Sequence, residues 1–194
     1  MEVTVRKLNI GGGAIVIPGF EVLNLGDGQR TRGGAPDHVG DCRRLPFADA
    51  TFQVVHSSHV IEHVQWYEIF ATVAEWFRVV APGGQLEVWA PDGYKLARAI
   101  VHHEETGESI IPPKSMQWLK DRTKGDVIQH CAARLMNYAH RGEYDAQIHR
   151  AILTPKLLMR CLSAAGAKNV RMLQDSERRD HDHGWINMGA VGFK

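Results

Sequence analysis

The sequence predicts an α/β protein built on a largely parallel sheet covered on both faces. Short apolar, β-branched runs alternate with segments of helical period, and the first run ends directly in a glycine triplet, Gly11-Gly12-Gly13. The 194 residues fit one domain, 1–194, with a sizeable core. Hydrophobic residues at 44% and charged residues at 23% are ordinary globular values, which argues against disorder.

Val3 to Ile10 alternates and reads as a strand running into the glycine loop. Phe20 to Leu25 is a second short strand, entered through Pro18-Gly19, and residues 26–37 are rich in glycine and charge and read as a loop. Phe52 to Ser57 is a buried strand. Trp66, Ile69, Phe70, Val73, Phe77 and Val80 recur at helical spacing, which predicts an amphipathic helix over 66–80. Ala81-Pro82-Gly83-Gly84 ends it, and Gln85 to Ala90 follows as a strand closed by Pro91-Asp92. Residues 93–150 read as helix broken at Pro112-Pro113 and Gly125. They depart from the strand–helix rhythm and are the candidate insert or lid. Thr154 caps a helix with Pro155 in its first turn and Gly166 at its end. Lys168 to Leu173 and Ile186 to Phe193 complete the strands.

A net charge of +1 gives no electrostatic basis for a nucleic-acid or anionic-membrane partner. No run approaches the roughly 18 apolar residues of a membrane span, and the amino terminus lacks the apolar core of a signal peptide. Cys42, Cys131 and Cys161 have no metal-type spacing and suit a reducing compartment, so a cytoplasmic location is expected. A homodimer is left open.

Six motifs occur in order: KLNIGGG (7–13), PGF (18–20), DCRRLPF (41–47), SSHVIEH (57–63), EWFRVVAPGG (75–84) and APD (90–92). With this set the chain resembles the small class I S-adenosylmethionine-dependent methyltransferases, in particular a compact bacterial type-11-like group found beside sugar and cell-surface polysaccharide genes. The Thr-Pro helix, AGAKNV and the final VGFK extend the resemblance over nearly the whole chain. It implies a Rossmann-like doubly wound sheet of about seven strands with the last antiparallel. Only about seven residues separate the glycines from the second strand, short for a parallel crossover, so the first crossover helix is expected to shrink to a turn or so.

The resemblance implies S-adenosylmethionine as cofactor and a small-molecule hydroxyl, such as that of a sugar, as acceptor. Asn9 and the loop Gly11, Gly12 and Gly13 would hold the amino-acid end of the cofactor, where glycine permits close backbone approach and positive φ. Gly12 stands where the group has Cys. Asn24 falls where the group places a ribose-binding carboxylate, with Asp27 as substitute if the loop shifts by three. Asp41 would meet the adenine amino group, with Cys42 as the adjoining backbone donor. Ser57 and Ser58 end a central strand, at the sheet edge where ligands bind. His59 and His63 are the general-base candidates, since imidazole takes a proton near neutral pH.

Each feature has a plainer reading. The glycine triplet could be only a turn, Asp41 a turn cap, and Glu62 with His63 the start of a helix. The tryptophans Trp66, Trp76 and Trp118 at helical positions read as core. His59-Val60-Ile61-Glu62-His63 matches H-x-x-E-H, so a zinc hydrolase is a rival, with Glu104, Glu105 or Glu143 as third ligand. His181-Asp182-His183 reads as a polar loop, and His102-His103-Glu104-Glu105 as a solvated helix face or a substrate-contacting lid. The altered glycine loop and the missing carboxylate also admit a scaffold that keeps the fold without turnover and serves as a partner protein.

Overall fold

The computed structural model describes residues 5–26, 35–117, 120–136 and 148–194. Asp27, Trp118 and Glu143 lie outside the described residues.

Seven strands form one sheet: β1 (Lys7–Ile10), β2 (Glu21–Asn24), β3 (His38–Val39), β4 (Phe52–Ser58), β5 (Val80–Pro91), β6 (Lys168–Leu173) and β7 (Asn187–Phe193). Their spatial order is β3-β2-β1-β4-β5-β7-β6. The first five are parallel, and β7 runs antiparallel between β5 and β6. This is the Rossmann-like sheet of class I methyltransferases, with the final strand antiparallel as the motifs implied. Chain order reverses between β1 and β4, so the carboxyl ends of these two neighbours flank a crevice.

The alternation of side chains across the pleat divides the sheet into two unlike faces. Leu8, Ile10, Val55, Leu86, Val88 and Ala90 are buried in the main core, which includes Val73, Trp76 and Phe77 of α1 (Ile69–Arg78) and Leu158 and Leu162 of α6 (Pro155–Ala164). The intervening His56 and Glu87 are buried too, with 0% and 2% of their surface exposed, yet they are polar. The first crossover, residues 11–20, contains turns and no helix. Phe20 from this loop meets the His56 ring edge-on at 6.3 Å. A short loop lies where a longer crossover would carry a helix.

Glu87 is held from three sides. Arg179 donates through Nε and Nη2 at 2.7 Å each, His56 Nδ1 lies 3.3 Å away, and Gln85 also donates to it. His56 Nε2 in turn lies 3.9 Å from Asp180. Burial works against ionisation of Glu87, but the bonds from His56 and Arg179 outweigh it and hold its carboxyl at about 2. Burial likewise opposes a charged His56, and Asp180 and Glu87 overcome it and raise its pKa.

The helix predicted over 66–80 is the shorter α1, because Val80 already pairs with Phe52 in the sheet. Trp66 and Tyr67 stand outside it, 70% and 65% exposed, so only Trp76 of the two described tryptophans expected in the core is buried. The Pro82-Gly83-Gly84 stretch that reads as a helix stop is a bulge inside β5, where the register shifts between Phe52 and Val54. A Cβ on Gly84 would lie 2.5 Å from the Gln53 carbonyl oxygen. The segment after β5 holds α2 (Gly93–Thr106), α3 (Pro113–Gln117), α4 (Lys120–Thr123) and α5 (Val127–Leu135), with Gly107 and Pro112 between α2 and α3 and Gly125 between α4 and α5. Leu96, Ala99, Ile111, Val127 and Cys131 there make a second apolar cluster, tied to the rest through Ile186.

Replacing Glu87 by Gln is expected to cost on the order of 3 kcal/mol in urea unfolding, since it strands its buried partners. The pH profile carries a sign. The folded pKa of Glu87 is depressed from 4.5, so its stabilisation holds above pH 4.5 and is lost as pH falls toward 2. That of His56 is raised from 6.5, so its stabilisation holds below pH 6.5 and is lost as pH rises through the folded value. Glu87→Gln should flatten both limbs of the profile.

Candidate functional site

The crevice at the ends of β1 and β4 opens into a cleft of about 650 Å³, within the range of small-molecule sites. Asn9 and Gly11, Gly12 and Gly13 form one wall, Asp41, Cys42 and Arg43 another, and Ser58, His59, Val60 and His63 a third. Arg150, Asp180 and His183 also line it.

The glycine loop is shaped by contacts that only glycine allows. Gly11 has φ of +67°, and a Cβ there would lie 2.3 Å from Val60 Cγ2. A Cβ on Gly12 would come within 2.6 Å of Asn9 Nδ2, and Gly13 has φ of +54°. The loop thus packs closely in a conformation that glycine adopts without strain. Backbone and side chain pin it to β2: Gly11 N donates to Leu23 O at 2.7 Å, Gly13 N to Asn24 Oδ1 at 3.0 Å, and Asn24 Nδ2 to Gly13 O at 3.2 Å. Asn24 is thus fully buried, engaged with the loop, and absent from the cleft wall.

Asp41 reaches the cleft while it caps its own turn. Arg43 donates to it from backbone N at 2.8 Å and from Nη2 at 2.7 Å, and Arg43 holds its carboxyl below the usual range. Trp76 Nε1 donates to Cys42 O at 2.8 Å, which fixes the peptide beside it. Burial pushes the Cys42 thiol up to about 11, so it is an inert thiol. Ser58 lies on the wall, whereas Ser57 is fully buried behind it.

His59 turns the chain out of β4 with φ of +54°. Its Nε2 lies 2.8 Å from Asn187 Oδ1, and Asn187 Nδ2 donates to Asp182, which leaves Oδ1 as the acceptor. Its Nδ1 lies 3.3 Å from Glu62 Oε1. Both nitrogens therefore face side-chain oxygens. His183 stacks on this ring at 3.7 Å, and burial, with the charge of His59, lowers its pKa to about 4. Ile61–His63 is a single 3₁₀ turn, so His59 and His63 do not share a helical face. His63 Nδ1 lies 3.2 Å from Ile148 O, and as its donor it leaves Nε2 with the lone pair.

Three wall residues escape sequence reasoning: Arg150, Asp180 and His183. They stand far along the chain from the motifs, and only the last drew notice, as part of a polar loop. Glu104 and Glu105 lie on the exposed end of α2, remote from this wall.

Residues 25–88, about a third of the chain, match the family described as a methyltransferase domain. No curated protein matches the sequence. Among solved structures, the chain is similar to a methyltransferase dependent on S-adenosylmethionine from Thermotoga maritima (14% identity, TM-score 0.57, 96% of this chain and 81% of that one). Another such enzyme from Archaeoglobus fulgidus is 12% identical, with a TM-score of 0.57, over 100% of this chain and 87% of that one. Against the YcgJ protein of Bacillus subtilis the values are 14% and 0.51, over 89% of this chain and 65% of that one. Residues 25–88 thus match a methyltransferase-domain family, and the whole chain shares its α/β fold with solved methyltransferases. More narrowly, the chain is similar to the small S-adenosylmethionine-dependent members of that class.

Gly11→Ala should lower stability by about 2 kcal/mol or more, from positive φ together with the Val60 contact. Val60→Ala in the same chain should recover part of that loss. Denaturant unfolding of both single variants and the double variant reads the coupling, and strict additivity would disprove the contact.

Proposed function

We propose that the protein transfers a methyl group from S-adenosylmethionine to a hydroxyl of a small acceptor, with a sugar as the class the motifs suggest, in the cytoplasm. The observation that carries this is the glycine cradle at the point where strand order reverses, opening on a cleft of cofactor size.

The residues fit the cofactor end by end. Asn9 and the amides of Gly11 to Gly13 would hold its amino-acid part, in a loop whose close packing on Val60 and Asn9 leaves no room for side chains on Gly11 and Gly12. Asp41 would accept from the adenine amino group and Cys42 offer its backbone N–H, on a turn held by Arg43 and Trp76. Asn24 acts on the ribose side indirectly, by fixing Gly13. Ser57 and Ser58 end β4 beneath the transferring group. When bound, the cofactor supplies an electrophilic methyl on a sulfonium. The chain's part is to align the acceptor oxygen with that methyl, which is a large effect by itself. His59, with Nε2 engaged by Asn187 Oδ1, would help to orient the bound groups. His63 is the one of the two candidates that offers the cleft a lone pair. The segment 93–150, within a single domain 1–194, would face the acceptor through Arg150.

Calorimetric titration of ligand-stripped protein with S-adenosylmethionine and S-adenosylhomocysteine tests this. Micromolar binding is expected, weakened at least tenfold by Asp41→Ala and by Gly11→Val. No binding of either at millimolar concentration overturns the reading. Binding without transfer to any acceptor hydroxyl would favour a scaffold that has lost turnover.

A further inference from the structure

Beside the cleft, at His63 of its wall, a second set of groups meets that cofactor binding does not use. Glu62, His63 and His149 place one ligand atom each within 4.8 Å of one another. They come from two segments 86 residues apart, so their meeting is a product of the fold.

The two segments are laced together. Arg150 N and Ala151 N both donate to Glu62 O, at 2.7 and 3.1 Å. Arg150 Nη1 donates to His63 O at 3.2 Å, and His63 Nδ1 lies 3.2 Å from Ile148 O. His149 N donates to Met136 O at 2.8 Å. The His63 and His149 rings stand 4.9 Å apart at 69°. Such backbone fixing of ligand rings is the usual outer support of metal sites.

The Glu62 carboxylate points to a ligand independently. It is 2% exposed; His59 Nδ1 lies 3.3 Å from Oε1 without hydrogen-bond geometry, and Oε2 has no partner. An ionised carboxylate so placed is costly unless compensated. Two imidazoles and a carboxylate are the donor set of open, three-ligand zinc sites. Bonds of about 2.0–2.2 Å would set the three atoms about 3.3 Å apart, so small side-chain rotations close the set.

We propose that Glu62, His63 and His149 bind one divalent transition-metal ion of the zinc class, whose open position faces the cleft and takes an oxygen of the acceptor. The second half rests on the methyltransferase reading; the ion site does not. His59 is then an outer partner, its Nδ1 beside Glu62. This differs from the H-x-x-E-H reading, in which His59 ligates and the third ligand lies in 104–105 or at 143. The motif supplies Glu62 and His63, and His149 completes the set.

The test uses the full chain, without a histidine tag and stripped by chelator. Titration with Co²⁺ followed by visible absorption, and with Zn²⁺ by calorimetry, should give one site of micromolar affinity or tighter. Glu62→Gln and His149→Ala should each weaken it about a hundredfold, while His181→Ala leaves it unchanged. Circular dichroism confirms that each variant is folded. Azide should shift the cobalt bands if a position is open. No stoichiometric ion, or affinity indifferent to His149→Ala, overturns the site; bands unmoved by azide overturn the acceptor role. Titration of the same protein with S-adenosylmethionine separates the two claims: failure to bind the cofactor overturns the methyltransferase reading and the acceptor role and leaves the ion site standing, whereas cofactor binding with no stoichiometric ion overturns only the site proposed here.

Discussion

The constraint on which the site depends is the anchoring of the glycine loop to β2. In a longer crossover, a helix starting after the loop would brace it. Here residues 11–20 return directly to β2 through turns, so the brace has to come from elsewhere. It comes from the Asn24 amide, which both accepts from and donates to Gly13, and from the Leu23 carbonyl, which accepts from Gly11. A carboxylate at position 24 could accept from Gly13 N but could not donate to Gly13 O. The asparagine that looks like a defect in a ribose-binding position is thus matched to the missing helix. Val60 closes the loop from the other side, where only the absence of a Cβ on Gly11 makes room.

The same shortening explains the polar heart of the sheet. The face of β4 and β5 opposite α1 and α6 lies against Phe20 and Arg179, and Glu87 and His56 are buried there instead of two aliphatic side chains. A buried ionic network seldom stabilises more than well-packed apolar residues would, so bulk stability is a weak reason for it. Its position suggests another consequence. Arg179 and Asp180 hold the segment leading to His183 against the sheet centre, and that segment forms the cleft wall on which His183 stacks over His59. The network converts the rigidity of two central strands into the placement of a loop.

Much of this architecture is legible in the sequence, for local physical reasons. The six motifs sit at strand ends and tight turns, where glycine, proline and capping residues leave few conformations. Lys168–Leu173 and the Thr154-capped helix were readable to the residue. What misled was punctuation with two meanings. Pro82-Gly83-Gly84 breaks a helix, yet it also serves as a bulge in a strand already paired at Val80. Trp66 fits the helical period, but α1 starts three residues later and leaves it in solvent. Asp41 shows both of its readings at once, capping its turn through Arg43 and lining the cleft.

The part of the site that was not legible is the part made by long-range pairing. His149 and Arg150 meet Glu62 and His63 through backbone bonds to Glu62 O, and a backbone carbonyl carries no trace of its partner in the sequence. The H-x-x-E-H spacing suggested a helix with both histidines on one face. The positive φ at His59 instead ends the strand and aims its ring at Asn187, leaving Glu62 and His63 on a single 3₁₀ turn to face a different segment. The motif's residues therefore do not take the helical geometry that its spacing suggests. A buried carboxylate beside two imidazoles is a state that a folded chain rarely maintains without compensation. That makes the burial of Glu62, more than the spacing of the histidines, the physical reason to look for an ion beside the cleft.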